Sequence, residues 1–169
     1  MNKKRIGWLL LIVFILMNAI AFQHAYKFTH FSSEDVSRTK DPSELTMWGK
    51  VQLLFTGIDN PKPRLKETPG TAFKTVRIFS TEELECWRIS ARNPKGTVIM
   101  FHGYAGEKSS LLTRANEFRK SGYTTFLVDF MGSGGSNGNE TSIGYKEAEQ
   151  VKDCFAYIQK EEKNIILFG

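Results

Sequence analysis

The sequence predicts an α/β fold preceded by an apolar N-terminal segment, and three observations carry that prediction. From Phe73 onward, short apolar runs alternate with stretches of helical periodicity. Two of those runs lead directly into glycine turns, "HGYAG" and "GSGGSNG". Ahead of them, the run from Ile6 to Phe22 carries no charge and only Asn18 as a strongly polar interruption. With 169 residues, 41% hydrophobic and 24% charged, the composition is that of one globular domain plus an extension, which excludes collagen-like and disordered classes.

The N-terminal segment reads as a membrane signal. Lys3, Lys4 and Arg5 precede the apolar run, which as a helix spans about 25 Å at about 1.5 Å per residue, close to the roughly 30 Å hydrocarbon core of a bilayer. Two readings stand: an uncleaved anchor over residues 6–22, or a secretory signal cleaved near Ala21, where Ala19-Ile20-Ala21 fits a small-x-small site. The run exceeds the usual h-region of about 7 to 15 residues, which favours the anchor. The basic N-terminus stays cytoplasmic, placing the rest of the chain on the extracytoplasmic side.

The net charge of +5 has no bearing on nucleic acid. Residues 1–31 hold Lys3, Lys4, Arg5 and Lys27 and no acid, so the remainder is nearly neutral and has no basic patch for phosphates. Cys86 and Cys154 have neither CxxC nor metal-ligand spacing and read as buried free thiols. His24 and His30 have no companions at ligand spacing, and no role is assigned to them.

Three segments follow from composition: 1–30 as anchor or signal with its flanks, 31–72 as a helical and proline-rich extension, and 73–169 as the α/β domain. Within the extension, Asp41-Pro42-Ser43-Glu44 resembles a helix start with Asp as N-cap, Pro at the first helical position and Glu three residues after the cap. Leu45, Trp48, Val51, Gln52 and Phe55 continue at helical intervals, predicting an amphipathic helix to about Phe55. "DNPKPRLKETPG" then breaks regular structure.

In the α/β domain, Phe73–Phe79 and Glu85–Ile89 read as strands, and Asn93-Pro94-Lys95-Gly96 as a turn. "TVIMF" (97–101) is a buried-type strand entering the first glycine turn. A helix with Leu111, Ala115 and Phe118 on one face follows, ending near Ser121-Gly122. "TTFLVDF" (124–130) is the next strand, a second helix carries Ala148, Val151, Phe155 and Ile158, and "NIILF" (164–168) returns to strand. Strands separated by helices with short connections make right-handed crossovers and a parallel sheet.

Ligands of open α/β sheets gather at the carboxyl ends of the strands, where both glycine turns lie. A phosphate loop, G-x-x-x-x-G-K-[ST], fails in "HGYAGEKSS", because Glu107 separates Gly106 from Lys108. A dinucleotide fingerprint, G-x-G-x-x-G, fails in "GSGGSNG", where Asn137 stands at the third glycine and Asp153 falls on a helix. Acyl transfer remains: a backbone N–H after one strand for an oxyanion, and a serine on a sharp turn after a later strand.

"VIMFHGYAGEKSSLL", "GYTTFLVDFMGSGGSNG" and "NIILFG", in that order, resemble the N-terminal half of the α/β-hydrolase fold over residues 73–169, in particular the branch of monoacylglycerol lipases, lysophospholipases and serine aminopeptidases. His102-Gly103 resembles the family's HG pair, Asp129 to Ser136 its D-x-x-G-x-G-x-S loop, and Gly169 the first glycine of the G-x-S-x-G nucleophile elbow. The resemblance implies a mostly parallel sheet with helices on both faces. It also implies no metal or organic cofactor, because nucleophile, base and oxyanion hole carry the chemistry.

The resemblance assigns the Tyr104 backbone N–H to the oxyanion hole, with Gly103 and Gly106 letting substrate approach the backbone. His102 is expected to stabilise the turn rather than act as base, since the family's triad runs Ser, acid, His in chain order. Asp129 is expected to accept N–H groups of the glycine-rich loop rather than to be the triad acid. The expected serine is the second residue past Gly169, so the chain reads as the front part of a serine hydrolase acting on ester, lipid acyl or peptide bonds and is inactive alone. The alternative is a membrane-tethered half-domain without catalysis that acts as a binding module.

Overall fold

The computed structural model describes residues 2–32 and 36–169, so positions 33–35 of the polar extension lie outside the described residues. The chain divides into two compact units, Met1–Pro61 and Lys62–Gly169.

In the first unit, helix α1 (Lys3–Thr29) contains the whole apolar run, and none of its most apolar window, of mean hydropathy 2.2, is buried. It is long and apolar enough to cross a membrane or to be a signal sequence. Helix α2 (Met47–Thr56) corrects the expected start at Asp41. Pro42–Glu44 form only a 3-10 turn, because the Asp41 carboxylate accepts from the Ser43 N–H at 2.8 Å in a tight local turn and does not cap a helix. The α-helix starts behind Thr46, whose hydroxyl accepts the Gly49 N–H at 3.2 Å. Gly57, at φ +73°, ends it.

The second unit holds strands β1 (Lys74–Phe79), β2 (Glu83–Ile89), β3 (Thr97–Phe101), β4 (Thr124–Val128) and β5 (Ile165–Phe168), with α3 (Leu112–Lys120) between β3 and β4 and α4 (Tyr145–Ile158) between β4 and β5. The sheet order is β1-β2-β4-β3-β5, with β3 parallel to both β4 and β5, and β2 antiparallel to β1 and β4. It is a mixed sheet: the short turn at 80–82 permits only an antiparallel pair, while the helical crossovers make the parallel ones.

Side chains of a strand alternate between faces, so β3 and β4 serve two cores at once. Ile99, Phe101, Phe126 and Val128 pack with Cys154 and Ile158 of α4. Val98, Met100 and Leu127 pack with Leu112 and Ala115 of α3. Helices therefore cover both faces. Cys86 and Cys154 are buried free thiols, and the Cys86 thiol is pushed well above its ordinary value by its hydrogen bond to Cys154 and by burial.

Three expectations are corrected here. The strand predicted over 124–130 ends at Val128, because Asp129 turns away to gather hydrogen bonds from the following loop. On α4, Ala148 and Phe155 are exposed, and the buried face is Glu147, Gln150, Cys154 and Ile158. Two polar residues hold core positions because both are satisfied: Gln150 accepts the Met131 N–H at 3.2 Å and donates to Thr81 Oγ1 at 2.6 Å, and Glu147 accepts the N–H groups of Ser142 and Gly144. Strand β5, expected to be buried on both faces, leaves Ile166 and Leu167 at 40% and 51% exposure, since α3 packs on β4 and α4 on β3 and β1.

Candidate active site

The parallel register brings three chain departures to one edge of the sheet. Phe101 pairs with Val128, and Met100 with Phe168, so the residues that follow β4, β3 and β5 stand side by side in the order Asp129, His102, Gly169. A Cβ built on Gly169 would lie 3.8 Å from the Cβ and O of Phe101, the residue just before His102. The glycine of the expected elbow and the HG turn are therefore neighbours at the carboxyl ends of adjacent parallel strands.

The turn after β3 is closed by the Gly106 N–H donating to the Gly103 carbonyl at 3.0 Å, with Tyr104 and Ala105 at its tip. Ala105 takes φ +51°, and Tyr104 is 43% exposed. A Cβ on Gly106 would sit 3.0 Å from the Gly103 oxygen and 3.3 Å from His102, so Gly106 is a glycine for packing reasons. A Cβ on Gly103 would meet nothing within 4 Å, so the backbone there is open to an approaching molecule.

His102 is buried and spoken for at both ring nitrogens. Its Nε2 accepts the Phe130 N–H at 3.1 Å, which requires that Nδ1 carry the proton and donate to the Gly103 carbonyl at 2.8 Å. Burial lowers its pKa below the ordinary imidazole value, against the opposing influence of the Gly103 carbonyl and of Asp129. A neutral ring with no vacant basic nitrogen cannot take a proton from a nucleophile. It joins the turn after β3 to the start of the loop after β4.

Asp129 is wholly buried and accepts N–H groups from Lys108 at 2.6 Å and Gly135 at 2.9 Å. Its charged partner was not legible in the motifs: the Lys108 ammonium, 0% exposed, forms an ion pair with the Asp129 carboxylate and another with Glu85 at 3.0 Å. The same ammonium stands 4.5 Å above the Trp87 ring. Sequence reading met Lys108 only as a misplaced phosphate-loop lysine. Its acids come from β2 and the end of β4, far away along the chain, so no local spacing announces them.

The loop 129–138 is pinned from several sides. Ser136 Oγ donates to the Asp129 carbonyl at 2.7 Å and accepts the Glu85 N–H at 2.8 Å. Lys62 Nζ donates to the Ser136 and Gly138 carbonyls, and the Gly134 N–H donates to the Pro63 carbonyl at 2.9 Å. The glycines make room for this: at Gly134 a Cβ would fall 2.0 Å from the Asp129 carboxylate, and at Gly135 2.2 Å from that of Glu85. Among the described residues no group of three or more His, Cys, Asp or Glu side chains could hold a metal ion. An open cleft lined by Arg92, Asn116 and Lys120 lies at the other end of the sheet, at the C-terminus of α3.

The solved structures that the chain resembles include hydrolases. An esterase of Pyrococcus furiosus matches at a TM-score of 0.56 with 27% identity, over 63% of this chain and 46% of its own. An alpha/beta hydrolase from Penicillium sp. sh18 matches at 0.50 with 23% identity, over 57% and 37%, and an alpha-beta serine hydrolase homologue from Coxiella burnetii at 0.51 with 20% identity, over 60% and 51%. No protein-family model matches the chain, and no curated protein matches it in sequence. Over about 60% of its length the chain has the α/β-hydrolase fold. It spans about half or less of the hydrolases it resembles.

Proposed function

We propose that residues 62–169 form the oxyanion-side half of a serine hydrolase that cleaves carboxylic esters, including lipid acyl esters, with peptide bonds as a further substrate class. The observation that carries this reading is the placement of Gly169 beside Phe101, at the root of a turn whose histidine is locked by two backbone hydrogen bonds. In a G-x-S-x-G elbow starting at Gly169, the serine would stand above the strand ends next to the Tyr104 amide. That amide then donates to the oxyanion of the tetrahedral intermediate, a contribution of about 3 to 4 kcal/mol to the transition state.

His102 and Asp129 are positioning residues in this reading. The imidazole sets the turn geometry, and the buried carboxylate sets the loop that flanks it, so the amide is in place before substrate arrives. In this reading the triad serine, acid and histidine would lie in sequence that follows Gly169. Residues 6–22 anchor the enzyme, and the basic N-terminus keeps the hydrolase unit on the extracytoplasmic side. The esterase neighbour favours ester over peptide substrates.

The test uses the product of the complete coding frame, read through the codons after Gly169. A fluorophosphonate probe should label it at the serine two positions past Gly169. Tyr104→Pro, which removes the N–H, should lower kcat by about 100- to 1,000-fold, whereas Tyr104→Ala, which keeps it, should leave kcat within a few-fold. A stop codon directly after Gly169, or equal loss in the Ala variant, would overturn the assignment.

A further inference from the structure

The first unit has an exposed apolar face that the hydrolase reading does not use. On α2, Met47, Trp48, Val51, Leu54 and Phe55 are exposed, Trp48 at 77%. At about 100° per residue these five fall within an arc of about 120°. The buried side of the helix is the other one: Leu53 is half-buried, and a Cβ on the buried Gly57 at its end would touch Lys27 of α1 at 3.1 Å. A ten-residue helix showing water an apolar stripe is marginal by itself and needs a cover.

Where α2 is tied identifies the cover. Gln23 Nε2 donates to the Thr56 carbonyl at 3.1 Å, His24 Nε2 to the Leu54 carbonyl at 2.9 Å, and the Lys27 ammonium pairs with Asp59 at 2.8 Å. These contacts begin one residue past Phe22, where the apolar run of α1 ends. The exposed Trp8 stands near the start of that run and the exposed Tyr26 just past its end, and Trp8 to Tyr26 spans about 27 Å at about 1.5 Å per residue. Trp and Tyr rings settle at the two surfaces of a bilayer. With α1 spanning a bilayer, the hydrogen bonds from Gln23 and His24 would hold the end of α2 at the level of the second surface.

We propose that α2 is a second membrane contact: an interfacial helix that lies on the bilayer surface with Met47, Trp48, Val51, Leu54 and Phe55 sunk among the acyl chains. Lys50 stands beside Leu54 on the rim of that stripe, where its ammonium reaches the phosphate level while its stem stays apolar. The proposal rests on reading α1 as a membrane span and names the lipid bilayer as the occupant of the stripe. Its consequence is geometric. The chain leaves the membrane through a helix fixed in the surface plane, and the segment that follows starts at the lipid headgroups.

The test is photolabelling of the full chain in phosphatidylcholine vesicles that contain a diazirine-acyl phosphatidylcholine, with lipid adducts mapped by mass spectrometry. Adducts are expected within residues 6–22 and on the five stripe residues, with few on Gln52. Trp48→Ser combined with Phe55→Ser should lower the α2 yield by roughly fivefold or more and leave the α1 yield unchanged. Adducts on α1 alone overturn the interfacial helix while the span stands. Photocrosslinks from the stripe to protein rather than lipid, whether to residues 62–169 or a second copy, also overturn it. Adducts on neither helix overturn the span and the proposal together.

Discussion

The ammonium of Lys108 and the carboxylate of Asp129, both at 0% side-chain exposure, form an ion pair that ties the turn after β3 to the loop after β4. Glu85 of β2 adds a second carboxylate at 3.0 Å, and Arg77 of β1 reaches Glu85 at 3.2 Å. Charges from four segments thus join in one network, with Lys108 and Asp129 at its buried end and Arg77 at its exposed one. The pair costs desolvation on both sides, and its value lies in what happens when one partner is removed.

Lys108→Met leaves the fully buried Asp129 carboxylate without its ammonium partner, while Glu85 keeps Arg77. Unfolding by urea should show a loss of about 3 to 5 kcal/mol. Lys108→Met combined with Asp129→Asn removes the uncompensated charge, so its loss should be smaller than the sum of the two single losses. Strict additivity would mean that the two residues do not act as a pair.

The glycines of the two turns should respond in opposite ways. Gly134→Ala requires φ +50° of an alanine and forces its methyl against the Asp129 carboxylate, so it should destabilise by more than about 2 kcal/mol. Gly103→Ala meets open space and should leave the melting temperature within a few degrees. Under the proposed hydrolase function, the same Gly103→Ala change should raise KM for an ester substrate, because its methyl would add bulk to the open turn beside the Tyr104 amide.

His102 should remain neutral, with the proton on Nδ1, at pH values where an exposed imidazole is already charged. Nitrogen chemical shifts measured through a pH titration read this directly. Because the folded pKa lies below the ordinary 6.5, the unfolded chain binds the proton first. Stability is therefore full above pH about 6.5 and falls as pH drops below it. A folded-state titration at or above the ordinary value would contradict the hydrogen-bond assignment.

Glu147 gives a second window at lower pH. Burial alone would raise its pKa, but hydrogen bonds from the Ser142 and Thr141 hydroxyls and from the Gly144 N–H hold it at about 2. Its folded value lies below the ordinary 4.5, so its stabilisation is complete above about pH 4.5 and is lost as pH falls toward 2. Glu147→Gln should lower stability at pH 7 and flatten the stability profile between those limits. Thermal melts from pH 7 down to pH 2 measure both effects.

Much of the second unit was legible in its local patterns. The continuous apolar runs Thr97–Phe101 and Thr124–Val128 became the two fully buried central strands, because each packs against a helix on either face. The motifs also placed His102, Asp129 and Gly169 at strand ends, since glycine turns following apolar runs leave few other options. Less was legible where polar residues take core positions. Gln150 and Glu147 point inward because Met131, Thr81, Thr141, Ser142 and Gly144 satisfy them, and a periodicity of apolar residues cannot show that. The start of α2 was misplaced for a related reason: Asp41 has the chemistry of a cap but uses its carboxylate on Ser43.

By itself the sequence determined the alternation of strands and helices, the apolar N-terminal helix and the two glycine turns, because each follows from the chemistry of residues that are neighbours along the chain. Only the tertiary structure decided which of them meet. The register that sets Gly169 beside Phe101, the tautomer of His102, and the burial of Lys108 between Asp129 and Glu85 all arise from contacts between segments distant in sequence. Such contacts depend on strand order and crossover geometry, and no local pattern encodes these.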